Sequence, residues 1–295
     1  PYDDVALDQF RNELVGVADS ILTNYEIYYG GFAYITGTIP ELIRNDVQSL
    51  MKMGILIMVT ILLLNLRSIP GVLMVLMVIG LSLVSMMGFM GWVYKLTGSD
   101  RFLFTMMNTS MPIILLTIAN SDGVHVMTKF FKEMRLQGDV PQALATTMDS
   151  LLVPIFLTSI TTVAAFLTMI SSPMEPMIGY GVTVSAGIIW AWFFSSVLLP
   201  AVISIKKWNL ASKAIKEISL FEKMIDRLGK IVLTHPKYVF SMGIILVVFG
   251  LVGFHKISID VNFANFFKPG SEIRDSMDFM DQEMTGTLDL RVRID

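Results

Sequence analysis

Long apolar runs, each bounded by polar residues, constrain this chain more than any other feature. They fall at residues 53–66, 69–93, 112–119 (resuming beyond Asp122), 151–170, 177–205 and 239–254. A helix rises 1.5 Å per residue, so about 20 such residues cross a hydrocarbon core roughly 30 Å thick. A soluble bundle would show polar stripes at helical period on these runs, and 69–82 and 177–200 show almost none. Composition agrees: 54% of the 295 residues are hydrophobic, 16% are charged and mean hydropathy is +0.64, values soluble domains rarely combine. The first run is short, but "TGTIPELIRND" places Thr38 and Glu41 at capping-box spacing with Pro40 in the first turn. That pattern predicts a helix from near Ile39 to Leu66. Lys52 then lies near one interface, where its stem can reach water.

Six spans alternate across the bilayer, and loop charge orients them. Arg67 follows the first span, and Lys129, Lys132 and Arg135 follow the third. Lys206, Lys207, Lys213, Lys216, Lys223, Arg227, Lys230 and Lys237 follow the fifth, making twelve basic residues on one side. The opposite short loops, 94–109 and 171–176, hold Lys95 and Arg101 alone. Positive charge marks the cytoplasmic side, which puts both chain ends on the outer face. The net charge of −3 comes with no basic patch of the kind nucleic acid requires, so no nucleic-acid partner is expected. Absent cysteines exclude disulfides and thiolate chemistry. No signal peptide is evident; the chain opens on Pro1 and stops in the alternating run "TGTLDLRVRID", as expected of a piece of a longer protein.

The expected fold class is mainly α: a polytopic membrane helix bundle with truncated α+β outer pieces at both ends. Residues 1–37 read as the end of a first outer domain, with a helix in "DDVALDQFRNELVGVADSILTNY" and a strand in "EIYYGGFAYITG". Residues 38–205 form the bundle, with spans near 38–66, 69–95, 110–134, 149–171 and 176–205. Residues 237–255 are the sixth span, and 256–295 start a second outer domain of strands around a short helix. Between them, Ile215, Ile218, Phe221, Met224, Ile225 and Leu228 recur at helical spacing within 206–236. This segment is an amphipathic helix, either on the cytoplasmic membrane surface or packed as a linker on neighbouring protein.

The third span carries the chemistry. In "IANSDGVHVMTKFF", Asp122 lies about ten residues beyond Pro112, roughly 15 Å deep. His125 sits one turn further on the same face. Thr109 is the expected N-cap, with Pro112 in the first turn. Asn120 and Ser121 thicken the polar patch, and Gly123 leaves room for another helix. A mid-bilayer aspartate costs about 2.5–3.5 kcal/mol on insertion scales. An adjacent histidine makes a pair whose charge can change near neutral pH, the property a proton-driven transporter needs. A static hydrogen bond, or a water-filled pocket with no relay role, are the structural alternatives. The fourth span offers Thr158, Ser159, Thr161 and Thr162 as partners, whose hydroxyls either relay protons or bond back to their own helix.

At these residues the chain resembles the resistance–nodulation–division (RND) superfamily, and within it the predicted exporters related to MMPL and Patched proteins. "YYGGFAYITGTIPELIRNDVQSLMKMGILIMVTILLLNLRSIPGVLMVLMVIGLSLV" is similar to the family's passage from the first outer domain through its second and third helices. "SDGVHVMTKFFKEM" resembles the fourth helix. "LTSITTVAAFLTMISSPMEPMIGYGVTVSAGIIWAWFFSSVLLPAVI" resembles the fifth and sixth, the most specific match, and "THPKYVFSMGIILVVFGLVGF" the seventh. The resemblance implies a proton-relay role for Asp122 with His125 beside it. It departs from the Patched-type pattern in placing Ile118 where a glycine precedes paired acids, and in a single acid, Asp122.

What the resemblance implies is a secondary active transporter, not an enzyme. It moves lipids or hydrophobic, amphiphilic small molecules, driven by the proton gradient with no cofactor and no metal. Its setting is the inner membrane of a prokaryote, with outer domains facing the periplasm. The partners are the lipid bilayer, a lipid-like substrate and the missing second half of the same protein, with homo-oligomer formation left open. Two other readings remain: a sterol-sensing-domain-like protein that binds lipid without transport, and a SecD/SecF-like translocation accessory. No nucleophile–base set, metal-spaced cluster or phosphate loop points to catalysis. The 22 methionines scatter through every span and read as apolar filling.

Overall fold

A computed structural model describes residues 4–25, 27–29, 32–210, 212–216, 220–257 and 263–283. The chain divides into two compact units, one of Pro1–Asn45 with Lys237–Asp295 and one of Asp46–Pro236.

The second unit is a helix bundle. Its elements are the span of α2 (Phe32–Leu66), then α3 (Ile69–Thr97), α4 (Met111–Gln137), α5 (Val140–Leu167), α6 (Glu175–Phe193), α7 (Leu199–Ile205), α8 (Lys213–Lys216) and α9 (Leu220–Thr234). A π-helical turn, Phe194–Leu198, joins α6 to α7 into one long rod. Local signals set the ends. Ser68 caps α3 by accepting from the Gly71 N–H, and Asp139 caps α5 by accepting from the Gln142 N–H at 3.2 Å. Gly138, at φ 72°, ends α4 immediately before that cap, so two residues turn the chain from one helix into the next.

α4 lies inside, packed by α3, α5 and α6. Its Leu115, Val126, Met127 and Phe130 are fully buried with Val75 and Val78 of α3 and Ile188 of α6. A β-carbon at Gly123 would meet Val75 Cγ1 at 3.1 Å, so the glycine lets α4 close on α3. Five described helical segments are long and apolar enough to span: Asn45–Leu66, Ile69–Thr97, Val140–Ser171, Glu175–Ile205 and Pro236–Phe254. α4 falls short of that apolarity because Asn120, Ser121, Asp122 and His125 interrupt it. At 27 residues it is nonetheless long enough to cross, and it lies between α3, α5 and α6.

The first unit holds α1 (Asp4–Ile21), the start of α2, most of α10 (Pro236–Phe254) and α11 (Glu272–Glu283). Its small core is Ala264, Phe267, Ile273 and Met277, with Tyr34 packed on it. Tyr29 Oη donates to Asp19 Oδ1 at 2.7 Å, and Tyr34 Oη to Glu272 Oε1 at 3.1 Å.

Several expectations change. The strand expected across 26–37 is helical from Phe32 onward, and no strand occurs among the described residues. The helix predicted to begin near Ile39 is already under way there: Thr38 Oγ1 donates back to the Tyr34 carbonyl at 2.8 Å and caps nothing. Of the tail 256–295, expected to hold strands around a short helix, residues 258–262 and the strand-like "TGTLDLRVRID" lie outside the described residues. α4 is preceded by a 3-10 turn, Met106–Ser110, so the residue before the helix is Ser110 rather than Thr109. The single amphipathic helix expected in 206–236 is two elements, α8 and α9, with Ile218 between them outside the described residues.

Candidate functional site

α4 and α5 line a half-open cavity of about 380 Å³. α4 lines it with Thr117, Ile118, Ser121, Asp122 and His125, and α5 with Leu151, Pro154, Ile155, Thr158, Ser159 and Thr162. The α4 set follows helical spacing, i, i+4 and i+8 from Thr117 to Ser121 to His125 with Asp122 alongside. The α5 set does the same through Leu151, Ile155, Ser159 and Thr162. Pro154 lies within α5. Its ring cannot donate to the carbonyl four residues back, which interrupts the ladder at the cavity wall.

Asp122 sits near the middle of α4 and is 7% exposed. Its Oδ2 is buried and has no hydrogen-bond partner among the described residues. Burying a polar group unpaired is costly, more so for a carboxylate. A second buried acid on the same helix shows the contrast. Glu133 accepts from Lys129 Nζ at 3.0 Å on Oε1 and from Gln137 Nε2 at 3.0 Å on Oε2. Both oxygens of Glu133 are occupied, which is how a structural carboxylate is held.

The other residues singled out from sequence divide. Ser121 and His125 line the cavity and are exposed, and Ser159 lines it and is buried. Thr158 and Thr162 line it while donating to their own helix, Thr158 Oγ1 to the Ile155 carbonyl at 2.9 Å and Thr162 Oγ1 to the Thr158 carbonyl at 2.6 Å. A hydroxyl that donates still has lone pairs to accept with. Thr161 is outside the cavity lining, exposed, and bonded to the Leu157 carbonyl at 2.8 Å. Asn120 is also outside the lining, and its Oδ1 is buried without a partner among the described residues. Sequence reading overlooked Pro154, although a proline inside a long apolar run was a visible signal. It also overlooked Thr117, Leu151 and Ile155, whose place depends on the rotation of each helix.

α4 is fixed at both ends. At its start, Ser110 Oγ and Tyr180 Oη lie 2.8 Å apart in a hydrogen bond to α6. Nearby, Arg101 pairs with Glu175 through two guanidinium nitrogens, Nε and Nη2, and both carboxylate oxygens, Nη2 to Oε1 at 3.0 Å. At its other end, Arg135 Nε donates to the Ile215 carbonyl of α8 at 2.7 Å. Trp208 packs against Phe130 in a tilted contact and against Phe131 edge-on, with ring centroids 5.3 and 5.5 Å apart, and donates Nε1 to the Ile203 carbonyl.

A bundle of long apolar helices wrapped around one that carries a buried acid at mid-length defines a multi-pass membrane protein in contact with the lipid bilayer. The model of the MMPL family matches residues 7–238, and the chain belongs to that family. Membership places it among RND-type transporters of lipids or hydrophobic compounds, which are not in general enzymes. A comparison with curated proteins finds no match.

Proposed function

We propose that this chain carries the proton-handling site of a proton-driven exporter, with Asp122 as the group that takes up and releases the proton. The observation that carries the reading is the buried, unpartnered Oδ2 of Asp122 beside a cavity lined by hydroxyls. A carboxylate held for structure alone would be paired as Glu133 is. His125, on the same cavity, tunes the carboxyl group, while Ser121, Thr158, Ser159 and Thr162 offer oxygens along the path. The proton gradient supplies the energy, and no cofactor is involved. The cargo is a lipid or a hydrophobic, amphiphilic small molecule. The membrane is the inner membrane of a prokaryote, with the outer pieces facing the periplasm.

The test is Asp122→Asn, with gradient-driven export and thermal stability measured side by side in reconstituted vesicles. Asparagine keeps the size and much of the hydrogen bonding but cannot exchange a proton near neutral pH. Export should be abolished while stability changes little. His125→Ala should slow export and alter its pH profile without abolishing it. Undiminished export by Asp122→Asn would end the relay reading and move lipid sensing without transport ahead of it.

A further inference from the structure

The segment between α7 and α10 holds a highly exposed amphipathic helix. From Lys223 to Thr234, every side chain of α9 is exposed. Leu233 apart, its apolar residues from Met224 onward are gathered on one side: Met224, Leu228 and Ile231 lie at i, i+4 and i+7, with Ile225 and Val232 beside them. Each is about half exposed or more, from Val232 at 47% to Ile225 at 63%. At 100° per residue these five occupy an arc of roughly 120°. Lys223, Arg227 and Lys230 repeat the same spacing one residue earlier and form a cationic stripe along one edge of that arc, while Asp226 lies on the far side.

Chain continuity names what covers this face. α7 ends an apolar rod at Ile205, and α10, a membrane-spanning helix, begins at Pro236, with His235 alone between it and the end of α9 at Thr234. α9 is therefore tethered at its end to the membrane surface, on the side where the basic loops gather. A protein partner would need to be recruited there; the lipid is already present. A helix with an apolar arc, a cationic edge and few net apolar residues lies in the headgroup plane. The cytoplasmic leaflet carries the negative surface potential that such an edge complements.

We propose that α9 docks on the cytoplasmic leaflet and that Lys223, Arg227 and Lys230 recognise anionic phospholipid there. Met224, Leu228 and Ile231 enter the boundary between headgroups and acyl chains, and the basic stripe stays at headgroup level. Each basic side chain near an anionic surface shifts docking by about fivefold. The stripe as a whole therefore shifts it by roughly a hundredfold, reduced by Asp226 and by salt.

The chain contains no cysteine, so single labels are clean. Leu228→Cys and Asp226→Cys, each carrying an environment-sensitive fluorophore, are reconstituted in zwitterionic vesicles and in vesicles containing anionic phospholipid, with quenchers borne on the lipid. The label at 228 should be quenched more strongly than that at 226. The difference should grow with anionic lipid and shrink with added salt. Combining Leu228→Cys with Lys223→Gln, Arg227→Gln and Lys230→Gln should remove the dependence on anionic lipid, because these exposed residues contribute nothing to the core. Equal quenching at 228 in both kinds of vesicle would overturn the headgroup recognition. Absence of lipid quenching at 228 in either would overturn the docking altogether and mark the face as a site for protein.

Discussion

Two carboxylates on α4, eleven residues apart, show how similar side chains acquire different duties. Glu133 lies where its helix nears the basic loop, and neighbours one turn away on either side, Lys129 and Gln137, occupy its oxygens. Asp122 has no such neighbours: four residues before it stands Ile118, and the residue four after it is Val126. Glu133→Gln should therefore cost stability, about 1 kcal/mol for the lost charge-assisted bond. It should leave export by the folded fraction intact, the opposite of Asp122→Asn. A Glu133→Gln protein that is stable but silent in export would mean that the acid at the inner end also handles protons. Sequence alone marked Asp122 and His125, because an ionisable type at that depth is visible without coordinates. It could not separate Thr158 and Thr162 from Thr161, since which hydroxyls face α4 depends on how α5 is rotated about its axis. Thr161→Val should accordingly leave export unchanged under the same assay, whereas Ser159→Ala, at a buried position on the cavity wall, should slow it.

The helices themselves were the most legible part of the chain, because apolar runs of span length leave few alternatives. Their ends were less so. The Thr38–Glu41 spacing is a genuine start signal, yet α2 begins at Phe32 and the hydroxyl of Thr38 bonds back into the helix. A cap is a local preference of about 1 kcal/mol, readily outweighed when the chain before it is also helical. Close approaches between elements were legible at Gly123, but not elsewhere. A β-carbon at Gly179 would stand 1.7 Å from the Arg101 carbonyl oxygen, a backbone atom of the loop ahead of α4. At Gly187 the nearest atom is Met86 Sδ, at 2.8 Å, the end of a flexible side chain. Gly179→Ala should thus push the loop off α6 and cost about 1–3 kcal/mol or more. Gly187→Ala should cost less, as Met86 turns aside. Thermal unfolding of the two variants in one detergent orders them. Equal losses would show that the loop carrying Arg101 yields as easily as a methionine tip.

Between the two units, the means of cohesion differ more than the helix content does. The bundle unit has a large core drawn from every span and from α8, nearly free of ionisable groups. Among the described residues, the other unit has a core of four and relies on Tyr29 bonded to Asp19 and Tyr34 bonded to Glu272, with Tyr28 stacked on Phe279 at 4.3 Å. Its reading as part of an α+β domain was the least legible part of the sequence, because short alternating runs such as "EIYYGGFAYITG" carry too little pattern to separate strand from helix. Its tyrosines make it sensitive to alkali. The bond to the Asp19 carboxylate, followed by burial, pushes the Tyr29 hydroxyl from 10.0 up to about 12. Burial, followed by the charge of Glu272, does the same for Tyr34, also to about 12. Each hydroxyl therefore holds its proton more tightly folded than unfolded. Its contribution is complete below pH 10.0 and is lost as the pH rises through about 12. Phenolate absorbance should show two tyrosines ionising late, and protease cleavage within residues 4–45 should accelerate over the same interval while the bundle stays resistant. Tyr29→Phe with Tyr34→Phe should remove the late absorbance and open the unit at lower pH. Ionisation of both residues near 10.0, with no late phase to lose, would mean that these bonds do not hold the unit together.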